Sequence, residues 1–190
     1  MNAEAFFAEA RKQFGRLSQS QVDGINAILN ATEGRKRSHV AYLLATAWHE
    51  TARTMQPVRE TLAGSDAQAV ARLDRAWKAG KLKQVKVPYW RFDDTGRTWL
   101  GRGYVQLTHK DNYRKAAALV GVDLLGNPSL ALRADIAAQI LVEGCEVGLF
   151  TGKKLADYLP GDYVNARKIV NGLDKAQAIA AHAVAFEAAL

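Results

Sequence analysis

The sequence predicts a mainly α-helical protein of the α+β type, and three observations carry that expectation. Apolar residues recur at spacings of three and four through most of the chain, as on a helix with one buried face. Only residues 85–107 carry β-prone runs around a turn signal, enough for one small hairpin. The 190 residues, 48% hydrophobic and 24% charged, suffice to bury a sizeable core in one domain.

Taken in order, Phe6, Phe7, Ala10 and Phe14 mark the first helix, and Val22, Ile25, Ile28 and Leu29 the second. Ser18 opens the second with Gln21 three residues on, a pair whose side chains satisfy each other's orphaned backbone donors. From about Lys36 to His49 the chain is apolar on nearly every side, so this helix should run through the core and carry Glu50 at its end. Ser65 precedes the helical pattern of Val70, Leu73 and Trp77. The hairpin is expected from Val85–Phe92, a turn at Asp93-Asp94-Thr95-Gly96, and Arg97–Leu107. Thr108 with Asp111 should start a helix through Tyr113 to Val120, and Asp135 one from Ile136 to Phe150. Asp162 and Asp174 should cap the last two, which end at Asn171 and Leu190.

Composition removes several classes of function. No apolar stretch approaches the roughly 20 residues of a spanning helix, so no stable membrane insertion is expected. The N-terminal MNAEAFFAEARKQF carries acids where a secretory signal would not, and the chain reads as made and folded in a cytoplasm. Cys145, the single cysteine, reads as a buried free thiol. A formal charge of +7 points to an anionic partner: nucleic acid, an acidic envelope surface and peptidoglycan stem carboxylates all qualify. No motif supports nucleic acid. Lys78, Lys81, Lys83 and Lys86 form the densest basic patch, or else an ordinary solvated loop face. Without repeats or linkers, residues 1–190 are expected to form one domain with no separate wall-binding module.

Two distant segments carry chemistry. In the first, Glu50 follows the apolar run HVAYLLATAW, where desolvation beside Trp48 and Leu44 favours a carboxyl that keeps its proton. Glu60, next to Arg59 in a polar loop, should stay ionised, and two acids in unlike surroundings are what glycosidic hydrolysis needs. On one continuous helix they would lie roughly 15 Å apart and about 80° out of phase, so the helix must stop and the chain must turn back before Pro57. Alternatively, Glu50 is a helix-end carboxylate held by Arg53. In the second segment, GRGYVQLTHKDNY, Gly101 and Gly103 let backbone approach a ligand, and an extended chain would point Gln106 and Thr108 to one face. Thr108 could equally serve as a helix cap. His39, His49, His109 and His182 form no metal-binding pattern, so no metal site is expected.

WHET, GRGYVQLTHKDNY, GNPSL and RKIVNG stand in the order, and at roughly the spacing, found in glycoside hydrolase family 19, the chitinases and related phage endolysins. The chain resembles that family from Val40 to about Asn171, and a short, basic, disulfide-free chain is more similar to the endolysin branch. The resemblance implies a lysozyme-like fold with the hairpin beside an active-site cleft, and inverting hydrolysis without a cofactor. It assigns Glu50 as general acid, Glu60 as general base, and Gln106, Thr108, Asn112 and Asn171 as substrate-binding residues. Ala52-Arg53 and Leu173 replace glycines of the family pattern, and no arginine follows Arg167. The expected partner is peptidoglycan, cut by a monomer made in a host cytoplasm and acting on the wall after release. Chitin is the alternative substrate, lytic transglycosylation an alternative reaction, and a non-catalytic glycan-binding or virion structural protein the alternative of another class.

Overall fold

The computed structural model describes residues 2–190 and is mainly helical. Helix α1 (Ala3–Phe14) starts at Asn2, whose side chain accepts from the Ala5 N–H, and α2 (Gln19–Ala31) starts at the reciprocal Ser18–Gln21 cap. Helix α3 (Arg37–Glu50) is buried at every position from Ser38 to Trp48, as its all-round apolar sequence requires. It packs against α8 (Ala176–Ala189), which also meets α1 and the short α7 (Tyr163–Ala166). Helix α6 (Ala134–Val147) packs on α2 and on α5 (Lys110–Val120). Cys145 is a buried free thiol in this core. Among the described residues no helix is long and apolar enough to cross a membrane.

A second set of buried side chains joins Trp99, Leu107 and Tyr113 to Ile136 and Ile140. A third, built from Ala63, Ala69, Leu73, Trp90 and Leu100, lies beneath α4 (Asp66–Lys78), whose Ser65 cap accepts from the Gln68 N–H as expected.

The sheet is not the expected hairpin. Strand β1 (Val58–Arg59) pairs antiparallel with β2 (Arg102–Gly103), Val58 opposite Gly103 and Arg59 opposite Arg102. Residues 85–92 form no strand, because they cover α4 instead: Trp77 Nε1 donates to the Val85 carbonyl at 3.0 Å, and Trp90 is fully buried with its Nε1 on Asp74 at 2.9 Å. The turn itself is present. The Asp93 carboxylate accepts from the Thr95 and Arg97 N–H groups, the Thr95 hydroxyl and Trp99 Nε1, which holds its pKa well below the ordinary aspartate value.

Three expected caps also move. His109, at φ 68°, precedes α5 in place of Thr108, and Arg133 precedes α6, with Asp135 inside the first turn paired to Arg133. Lys175, at φ 57°, precedes α8, while the carbonyl of Asp174 accepts from Arg167 Nε. Asp162 does cap α7, and a 3-10 turn over Arg167–Ile169 follows.

Candidate active site

Helix α3 stops at Glu50, and the stop is built locally. Thr51 Oγ1 donates back to the Ala47 carbonyl at 2.8 Å and accepts from the Met55 N–H at 3.0 Å, tying the reversal to the last helical turn. Ala52, Arg53 and Met55 take left-handed φ values of 50°, 68° and 54°, so the chain turns back before Pro57. Helix α2 receives this loop: Gln21 Nε2 donates to the Arg53 carbonyl, Gln56 Nε2 to the Ser20 carbonyl, and Gly24 lies so close that a Cβ there would sit 1.7 Å from the Met55 oxygen.

The Glu50 side chain is 19% exposed, and its Oε1 accepts from Arg167 Nη1 at 2.5 Å. Arg167 is almost fully buried. This corrects two expectations. Arg53 is exposed and is not the partner of Glu50. Trp48, two residues earlier and so roughly 200° around the helix, packs on Phe14 and Phe186 instead of walling the carboxyl in.

Strand β1 delivers Glu60. Its Oε1 accepts from the Tyr89 hydroxyl at 2.7 Å, its Oε2 from the Gly101 N–H at 2.7 Å, and its own N–H donates to the Gly101 carbonyl at 2.7 Å. Arg59 does not serve Glu60, since neighbouring residues on an extended chain face opposite ways. It goes to Asp66 at 2.6 Å and to the Ala63 and Gly64 carbonyls. Asp66 also binds the buried Arg102 at 2.6 Å, and Arg102 Nη1 reaches the Tyr113 hydroxyl at 2.8 Å, so this network locks the two strands together. Burial raises the Tyr89 pKa, and its bond to Glu60 raises it further, keeping the phenol a proton donor. The ring of Tyr89 lies 4.3 Å from that of His109.

Gln106 joins this group, but not through an extended chain. Residues 102–107 form a tight reversal closed by two backbone hydrogen bonds between Arg102 and Leu107, and Gln106 itself has φ 55°. Parity with Thr108 therefore does not apply. Gln106 Nε2 donates to the Val58 carbonyl at 3.1 Å, and a Cβ on Gly101 would meet Gln106 Oε1 at 2.5 Å. The absent side chain of Gly101 thus makes room for Gln106, while Glu60 uses only its backbone. Gly103, at φ 97°, serves the turn.

Thr108 and Asn112 are half-buried beside this loop, with no hydrogen bond to either acid. Asn171 is exposed, its Oδ1 accepting from the Gly172 N–H, on the segment between Arg167 and its acceptor Asp174. Glu60 and Gln106 therefore share one wall, while Glu50 and the Asn171 loop share the Arg167 anchor.

A hollow of about 250 Å³ opens beside β1, lined by Pro57, Val58, Arg59, Leu62, Ala63 and Leu132. A larger one of about 490 Å³ lies between α1, α2 and the start of α3, away from both acids. Among the described residues no three His, Cys, Asp or Glu side chains gather as metal ligands would. Sequence reasoning missed Arg167 and Tyr89. Arg167 was signalled by its place in RKIVNG; Tyr89 had no signal, because only the folded loop brings it to Glu60.

Two carboxylates held by separate partners, one of them next to the Gly101 that Gln106 also approaches, are the residue types that glycosidic hydrolysis uses. Residues 18–140 match the glycoside hydrolase family 19 profile, described as chitinase class I, and the chain belongs to this family. It is a glycoside hydrolase acting on glycan polymers of the chitin and peptidoglycan type. The matched span includes Glu50, Glu60, Gln106, Thr108 and Asn112, and ends before Arg167 and Asn171.

Proposed function

We propose that the protein hydrolyses the β-1,4 bonds of peptidoglycan glycan strands by an inverting displacement. Glu50 protonates the leaving oxygen, and Glu60 takes a proton from the water that attacks the anomeric carbon from the opposite face. The observation that carries this pairing is the separate tethering of the two acids. Glu50 is gripped by Arg167 through Oε1 alone, and among the described residues its Oε2 takes no hydrogen bond and is left for the glycosidic oxygen. Glu60 accepts from Tyr89 and Gly101, and a carboxylate with about four lone-pair sites still has room for a water. Gln106, Thr108, Asn112 and Asn171 bind the sugar chain. Residues 1–190 act as one catalytic domain and as a monomer. As an endolysin, the protein would be made in a host cytoplasm and reach the wall on release.

Chitin is the second reading, favoured by the family's description as chitinase class I. Peptidoglycan is preferred because a chain of charge +7 gains electrostatic attraction from stem carboxylates and none from neutral chitin. The deciding experiment is mass and reducing-end analysis of the fragments released from purified peptidoglycan, run beside a chitin oligomer. Muropeptides with new reducing ends and inverted anomers are expected. Efficient cleavage of chitin alone would replace the substrate and leave the two acids in place.

A further inference from the structure

The segment from Arg75 to Lys86 carries Arg75, Lys78, Lys81, Lys83 and Lys86 and no acid. All five are exposed, and among the described residues none makes a salt bridge. The acids nearby are committed elsewhere: Asp66 to Arg59 and Arg102, Asp74 to Trp90 and Arg91, and Asp93 to its own turn, Trp99 and Lys110. The lobe formed by α4 and the loop after it therefore presents clustered positive charge to solvent, with Asp74 near Lys78 and no salt bridge to any of the five among the described residues.

That charge is anchored and lies close to the candidate active site. Trp77 Nε1 pins the loop at Val85, and Trp90 pins it again under α4. Between them Tyr89 touches Glu60. Three residues of chain span at most about 11 Å, so the backbone of Lys86 lies within that distance of the backbone of Tyr89. Beside Lys86, Val87 is 76% exposed, so the rim of the patch is apolar as well as basic.

We propose that this lobe is a docking surface for the carboxylate-bearing peptide stems of the same peptidoglycan strand whose glycan lies across Glu50 and Glu60. The inference rests on the peptidoglycan reading above and deepens it. Stems project sideways from a glycan strand, so a strand seated at Glu60 would bring its neighbouring carboxylates over Lys86, Lys83 and Lys81. Exposed charges act over about 8 Å at physiological ionic strength, so the contact should be salt-sensitive and confined to stems next to the site.

The test compares three proteins, each also carrying Glu50→Gln so that binding is read without turnover. They are the parent, the patch variant Lys78, Lys81, Lys83 and Lys86→Gln, and a control of equal charge change, Arg16, Lys36, Lys115 and Lys153→Gln. All eight positions are exposed. Pelleting with purified sacculi should show the patch variant binding weaker by on the order of tenfold at low salt. The control should change by less than about threefold, and sacculi with amidated carboxylates should erase the difference between parent and patch variant. With Glu50 restored, the patch variant should cut an uncharged oligosaccharide substrate at the parent rate. Equal losses in patch and control variants, or no loss in either, would overturn the docking surface. Failure of the parent enzyme to cut peptidoglycan glycan would instead overturn the substrate reading, and the cleavage products report that separately.

Discussion

Glu50 and Glu60 depend on side chains that are not acids. Arg167 fixes Glu50 from a 3-10 turn near the chain's end, and Tyr89 with the Gly101 N–H fixes Glu60. Glu50→Gln keeps shape and removes the transferable proton, so cleavage should fall by about 10² or more with the thermal transition nearly unchanged. Near-normal turnover in that variant would reassign the acid. Tyr89→Phe keeps the ring on His109 but deletes the donor to Glu60. Losing a hydrogen bond to a charged group should lower kcat by on the order of tenfold with KM unchanged. An equal change in KM would mean that Tyr89 contacts substrate directly.

The loop from Thr51 to Pro57 decides whether the two acids can share chemistry at all, and its shape rests on two unusual backbone demands. Gly24→Ala would drive a methyl into the Met55 carbonyl. It should cost roughly 1–3 kcal/mol of stability and reduce activity by shifting the path from Glu50 to Glu60. Chemical denaturation beside a turnover assay would check both effects, and unchanged values would mean that α2 and the loop separate freely. Arg53 poses the opposite case, an exposed residue held at φ 68° where the family pattern has glycine. Relief of left-handed strain of about 1–2 kcal/mol exceeds the entropy that glycine adds to the unfolded chain, about 0.4–1 kcal/mol. Arg53→Gly should therefore raise the melting temperature, and a lower one would show that the arginine makes a contact of greater worth.

Residues from both ends of the chain close the main core. Phe14 of α1 stacks on Phe186 of α8 with ring centroids 4.3 Å apart, and Trp48 of α3 lies against both. His182 borders this cluster. Burial lowers its pKa below the ordinary value of 6.5, and Arg53 and His49 lower it further. The unfolded chain therefore takes up a proton at this position at a higher pH than the folded one does. Its contribution to stability is complete above pH 6.5 and is lost as pH falls through the lowered value. The melting temperature should fall between pH 7 and pH 5, and His182→Gln should flatten that slope. An unchanged slope in the variant would assign the acid sensitivity to other groups.

Period and local chemistry are properties of short segments, and these were legible in the sequence. The all-round apolar run predicted a buried α3, Ser18 with Gln21 predicted a cap that forms, and AWHETARTMQPVRE and GRGYVQLT marked the stretches that hold Glu50, Glu60 and Gln106. Turn chemistry at Asp93–Gly96 was legible as well, yet the strands expected around it were not there. A β-prone run records side chains that pack, not the surface they pack on, and residues 85–92 pack on α4. Partner choice likewise followed the fold. Arg59, the sequence neighbour of Glu60, turned to Asp66, while Tyr89, 29 residues away, took its place. Arg53, close to Glu50 in the chain, stayed exposed, and Arg167, 117 residues away, became the partner. Helical period and capping are set by neighbours within about four residues, whereas a charge finds its partner only once distant segments have been packed together. The sequence could therefore single out Glu50 and Glu60 as candidate acids, and only the tertiary structure could say what holds them.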